Sequence, residues 1–114
     1  MIRRIRKMHN KKVTYEGISF DSILEKDYYI HLKNDKSIKN LQLQVPFILQ
    51  EKYKLNGKTI REIKYIADFT YYDKEDTFHV VDTKGFVTDI FKIKKKLFEY
   101  RYKIPLELVK RKDF

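Results

Sequence analysis

Residues 59–72 are rich in β-branched and aromatic side chains and end at Asp73-Lys-Glu-Asp76, a polar turn. A short, strongly apolar run, Phe78-His-Val-Val81, follows and is stopped by Gly85. Two such runs joined by a few polar residues read as neighbouring antiparallel strands, so the centre of the chain is committed to a β-hairpin. Against that background two acids stand out. Asp68 lies inside Tyr65-Ile-Ala-Asp-Phe69, and Asp82 ends the apolar part of Val80-Val-Asp-Thr-Lys-Gly85. A carboxylate in an apolar strand is costly unless it is paired or holds a cation.

Strand geometry places Asp82 and Lys84 on one face, about 6.5–7 Å apart along the chain. Ordinary closure of the turn brings Asp68 alongside Asp82. Facing carboxylates repel unless a cation lies between them, and oxygen ligands of this kind select Mg²⁺ or Mn²⁺. Such a metal polarises a phosphoryl group and lowers the pKa of a bound water. Lys84 is then placed to orient that water or to stabilise an anionic transition state.

The other elements follow from local pattern. Val13-Thr-Tyr-Glu-Gly-Ile-Ser-Phe20 alternates around Gly17, as a short extended segment or hairpin does. Ser22 followed by Glu25 has the form of a capping box, with Leu24, Tyr28 and Leu32 as the apolar stripe of a helix that ends near Asn34. Leu41-Gln-Leu-Gln-Val45 alternates with a period of two, and Pro46 marks an interruption or an edge strand. Leu55-Asn-Gly-Lys58 is a turn. Thr88 or Asp89 caps a second helix reaching about Tyr100, with Ile90, Phe91, Lys94, Leu97 and Phe98 as its half-buried face. Residues 104–109 read as a closing strand. The expected fold class is α/β (α+β): a mixed sheet flanked by helices, in the order α-β-β-β-α-β. At 114 residues the chain is expected to hold a basic N-terminal arm, residues 1–12, and one domain, residues 13–114.

Charge adds a partner. Twenty-six Lys and Arg against sixteen Asp and Glu leave a formal charge of +10, a field that favours polyanions such as nucleic acid. Arg3, Arg4, Arg6, Lys7, Lys11 and Lys12 are the expected phosphate contacts of the arm, and Lys92, Lys94, Lys95 and Lys96 those of the second helix. The chain has no cysteine, which excludes disulfides and thiolate metal sites. No apolar run reaches the roughly 20 residues of a membrane span, and no signal-peptide core follows the basic start, so a cytoplasmic location without membrane contact is expected. His31 and His79 have no second ligand at metal spacing and read as ordinary helix and strand residues.

The ordered set Glu25, Asp68, Asp82-Thr-Lys84 on helix, strand and strand resembles the PD-(D/E)XK nuclease superfamily. It is more narrowly similar to small phage-encoded members related to Holliday-junction resolvases. Phe20-Asp-Ser22, Leu41-Gln-Leu-Gln44, Tyr65-Ile-Ala-Asp-Phe69, Val81-Asp-Thr-Lys-Gly85 and Lys92-Ile-Lys-Lys-Lys-Leu97 carry the likeness. Ala67 replaces the proline of the superfamily's name, Asp82 stands where many members have Glu, and Val45 intervenes before Pro46. The resemblance implies a restriction-endonuclease-like core. It implies Asp68, Asp82, Glu25 and the Thr83 carbonyl as ligands of Mg²⁺ or Mn²⁺, with Lys84 as the catalytic lysine. The resulting expectation is a structure-selective DNA endonuclease in phage DNA recombination or processing, in the host cytoplasm. It would act on branched DNA as a homodimer, because symmetric cuts across a junction need two sites. The competing expectation is a nucleic-acid-binding or phage-regulatory module without catalysis. For Glu25 alone, a helix-capping role is sufficient by itself.

Overall fold

The computed structural model describes residues 11–114. Two short hairpins open where glycine permits a left-handed turn. β1 (Val13–Tyr15) and β2 (Ile18–Phe20) are joined through Glu16 and Gly17, at φ 49° and 79°. β4 (Tyr53–Leu55) and β5 (Lys58–Ile60) are joined through Asn56 and Gly57, at φ 49° and 77°. Paired positive φ values match the right-handed twist of the strands they connect.

The principal sheet is mixed and four-stranded, in the order β3 (Lys39–Gln50), β6 (Ile63–Tyr72), β7 (Phe78–Thr83), β8 (Leu106–Val109). The pairs β3–β6 and β6–β7 are antiparallel, and β7–β8 is parallel. A parallel neighbour requires a crossover, which α2 (Asp89–Tyr102) supplies. With α1 (Ile23–Lys33) before β3, the helices and the sheet strands follow the expected order of helix, three strands, helix, strand. Pro46 is accommodated because β3 is an edge strand. The turn expected at residues 73–76 closes β6 onto β7, with Asp73 Oδ1 accepting from the Glu75 and Thr77 N–H groups, both at 2.9 Å.

Three local expectations need correction. The stretch 59–72 is two strands: β5 ends at Ile60 and β6 begins at Ile63, since β5 turns back on β4 before β6 enters the main sheet. On α1 the expected Tyr28 and Leu32 are buried, but Leu24 is half-buried at the cleft, and Glu25 and Tyr29 complete the inner face. On α2 the buried residues are Phe91 and Phe98, and Ile90 and Leu97 face outward. Alternation of apolar residues fixes a helical period but not which of two apolar arcs meets the sheet.

The helices lie on opposite faces. Tyr28, Tyr29 and Leu32 pack with Phe20, Phe69, Tyr71 and Val81. Phe91 and Phe98 pack with Leu49, Tyr65, Ala67, Val80 and Leu106. Adjacent residues Val80 and Val81 thus serve different cores, as a pleated strand requires. β6 departs from that rule. Tyr65 and Ala67 belong with α2, but Phe69 and Tyr71 belong with α1. β3 changes over at the same level, Leu41 and Leu43 lying against the first cluster and Phe47 and Leu49 in the second. The change falls at Asp68 on β6 and at Gln44 on β3, whose φ is +54°.

Phe98 is fully buried, with ring centroids of Phe47, Tyr102 and Tyr65 at 5.0, 5.2 and 5.9 Å. Phe98→Ala is expected to cost about 3–5 kcal/mol, a large part of the stability of a chain this size. Urea unfolding measures it; a loss below about 1.5 kcal/mol would show that the second core collapses around the gap.

Candidate active site

Four of the elements meet at one point. α1 presents Glu25, β3 presents Gln44, β6 presents Asp68, and the end of β7 presents Asp82, Thr83 and then Lys84. The β6–β7 pairing runs to Phe69↔Val81, and beyond it the strands part. Asp68 occupies the fork. Its Oδ2 accepts from both the Thr83 N–H and the Thr83 hydroxyl, each at 2.9 Å. A side chain therefore continues the strand pairing where the ladder has ended.

Asp82 is 1% exposed, deep in the fork. The Lys84 ammonium lies 3.1 Å from Asp82 Oδ2, an ion-pair distance without hydrogen-bond geometry. The same ammonium is 4.7 Å from the Phe91 ring centroid, a cation–π contact that fixes the lysine between helix and strand. Burial, and then the charge of Asp68, push the Asp82 carboxyl up to about 7, with Lys84 pulling against them. Tyr65 sends its hydroxyl into the same interior. Burial and the charges of Asp82 and Asp68 raise it far above the ordinary phenol range.

Glu25 divides its two oxygens. Oε1 accepts from the Asp21 N–H at 3.1 Å, and Oε2 accepts from the Gln44 amide at 2.9 Å. The Ser22 hydroxyl caps the helix by accepting from the Glu25 N–H at 3.0 Å. One half of Glu25 thus serves the start of α1, while the other faces the acids. Burial and the nearby Asp68 push its carboxyl up to about 7.

Gln44 belongs to an alternating strand whose pattern does not mark it as a site residue, although Leu41-Gln-Leu-Gln44 is among the segments that carry the family likeness. The left-handed backbone of Gln44, costing of order 1 kcal/mol, accompanies an amide that lies across the rim of the acid cluster. There it donates to Glu25 and reaches Asp68 Oδ1 at 3.4 Å. Tyr65 was equally hidden among core aromatics.

The acids open into a cleft of about 640 Å³ lined by Lys11, Asp21, Ser22, Glu25, Asp68, Thr83, Lys84 and Phe86, among others. Asp82 lies behind this wall. Among the basic residues expected to contact phosphate, Lys11 lines the cleft and Lys12 pairs with Asp21 at 2.9 Å. Lys94 donates to the Lys64 carbonyl at 3.2 Å, and Lys95 pairs with Glu99 at 3.1 Å. Lys92 lies 3.9 Å from Asp89, and Lys96 is exposed on the same helix. Arg3, Arg4, Arg6 and Lys7 lie outside the described residues. His31 stacks on Tyr28, and His79 is held between Asp73 and Glu107 at 2.8 and 2.5 Å, so both have local structural partners.

The donor set suits a hard divalent cation. Asp82 Oδ2 is buried and accepts no hydrogen bond, and it shares the fork with a second carboxylate. Among the described residues no three His, Cys, Asp or Glu side chains converge as a closed cage. Magnesium commonly takes one or two carboxylates and completes its shell with water and phosphate. Asp68 and Asp82 would hold it, with Glu25 joined to them through Gln44.

The chain belongs to the family described as "Protein of unknown function (DUF1064)", which matches residues 5–112. It is also similar to a cell division protein, DivIB, of Clostridium tetani, with 28% identity over 107 residues. That match covers 92% of this chain but 39% of the relative, so the chain spans well under half of that protein. No solved structure matches. Among the described residues no helix is long and apolar enough to cross a membrane.

Proposed function

We propose that this chain is a Mg²⁺- or Mn²⁺-dependent, structure-selective DNA endonuclease of the PD-(D/E)XK type, similar to Holliday-junction resolvases and acting as a homodimer. The observation that carries this reading is the convergence, at the end of one strand pair, of buried Asp82, Asp68 beside it and the Lys84 ammonium 3.1 Å from Asp82. The bound metal would supply Lewis acidity toward a phosphodiester and a water of lowered pKa. The chain's own residues do the rest. Asp68, locked by Thr83, and Asp82 supply carboxylate oxygens that would hold the metal, and Lys84 offers a cation where the anionic transition state develops. Gln44 keeps Glu25 and Asp68 in register. Lys11 and the net charge of +10 attract the DNA backbone to the cleft.

A second reading, a non-catalytic nucleic-acid-binding module, draws on a different observation. Three of the four oxygens of Glu25 and Asp68 accept hydrogen bonds at 3.1 Å or less, which suits a purely structural polar cluster. The two readings separate in a cleavage panel of four-way junction, flap, nicked and linear duplex, with Mn²⁺ and with chelator. Nuclease action predicts metal-dependent cutting, strongest on branched substrates. Binding without cutting on every substrate would leave only the module.

A further inference from the structure

We infer that the outer face of α2 is a docking seam for an amphipathic helix of another protein, one whose apolar ridge is bordered by acidic residues. Ile90, Ile93, Leu97 and Tyr100 are 67%, 58%, 39% and 77% exposed. Their spacings of three, four and three residues repeat the pattern by which one helix meets another. At 100° per residue they fill an arc of about 80°. Phe91 and Phe98, which enter the core, project from a different side of the same helix. α2 therefore has two apolar arcs, and the sheet covers one of them.

Charge selects the occupant. Lys96 and Lys103 border the ridge on one side; on the other, Lys94 reaches the Lys64 carbonyl at 3.2 Å and Arg101 pairs with Glu51 at 2.7 Å, so the cations offered to a partner lie mainly along the first border. Lys103 is held against the ridge, with its ammonium 4.4 Å from the Tyr100 ring centroid. Asp89 lies in the first turn of the helix, and Lys92 offsets it at 3.9 Å. A second copy packed here would set lysine borders against lysine borders, which costs rather than gains free energy. A nucleic-acid backbone would satisfy the lysines but leave four apolar side chains uncovered. A lipid surface favours a broader apolar face than this narrow seam. A helix with Leu or Ile at its contact positions and Glu or Asp beside them matches ridge and borders together. This inference stands apart from the nuclease reading, because its measurement is binding without cleavage.

The probe is a four-heptad synthetic helix with Ile and Leu in the seam and Glu at both borders, labelled for fluorescence anisotropy against the full chain. A control peptide carries Lys at the borders. The Glu-bordered peptide should bind at least about tenfold more tightly than the control, and added salt should narrow the gap. Leu97→Glu should weaken binding by about thirtyfold or more. Ile93→Glu and Tyr100→Glu, at more exposed positions, read the same surface should Leu97→Glu fail to fold, which far-ultraviolet circular dichroism checks. Absence of binding, or equal binding of both peptides, overturns the inference. So does a dimer in sedimentation that Ile93→Glu dissolves, which would assign the face to a second copy. Flotation with phosphatidylglycerol vesicles that is lost in Ile93→Glu, without peptide binding, would likewise overturn it in favour of lipid.

Discussion

Asp82→Asn is expected to reduce metal-dependent cleavage at least about a thousandfold while leaving DNA binding in place and making the protein more stable at neutral pH. The two halves of this expectation have one cause. Asp82 is buried beside Asp68, and its carboxyl is pushed from the ordinary 3.8 up to about 7. The folded chain therefore prefers the protonated form. Stability is fully present below the unfolded pKa, near 3.8, and is lost as pH rises toward about 7. Glu25, raised from 4.5 to about 7, adds a loss of the same sign. Asparagine resembles the protonated carboxyl and carries no charge to desolvate. Thermal unfolding followed from pH 4 to pH 8 should show the wild-type midpoint falling through this window and the variant's falling less. Added Mn²⁺ should restore the wild-type midpoint at pH 8 but not that of Asp82→Asn. Cleavage that survives the substitution would remove Asp82 from the site, whereas an unchanged pH profile would refute the electrostatic account.

Lys84→Met carries the second large effect. The methionine retains contact with Phe91 while deleting the ammonium, so the fold is preserved and the cation is lost. Cleavage is expected to fall about a hundred- to a thousandfold, the usual cost of removing one preorganised charge aimed at a developing anion. Lys84 also holds the Asp82 carboxyl lower than burial and Asp68 alone would set it. Its removal should therefore move the alkaline end of the stability loss to higher pH. A variant with unchanged cutting but a displaced pH profile would make Lys84 a partner of Asp82 without a role in the chemistry. Loss of cutting with an unmoved profile would refute the ion pair.

Much of this arrangement is legible in the sequence. The acids in an apolar hairpin announced themselves because a buried carboxylate is expensive, and the turn at Asp73 fixed which strands would meet. Ser22 and Thr88 cap their helices as the local pattern implies. Other parts had no local signal. β5 and β6 share a continuous β-forming composition, and only the return of β5 onto β4 separates them. Gln44 joins the cluster from a left-handed backbone that its side chain does not encode. Ile90 and Leu97 looked like core because outward and inward apolar arcs have the same period. Glu25 combines two contacts that no single local pattern encodes: one oxygen accepts from the Asp21 N–H at the start of α1, the other from the Gln44 amide.

The fork between β6 and β7 also gives the molecule a built-in indicator. The Thr83 amide proton is directed at a carboxylate oxygen, not at a strand carbonyl, over 2.9 Å. Its nuclear magnetic resonance frequency is sensitive to the strength of that hydrogen bond. A diamagnetic ion such as Mg²⁺ drawing on Asp68 would shift this one backbone resonance while the paired amides along Phe69–Tyr72 stay still. The chain thus carries a native, label-free reporter of what occupies its acidic fork, readable without DNA and without turnover.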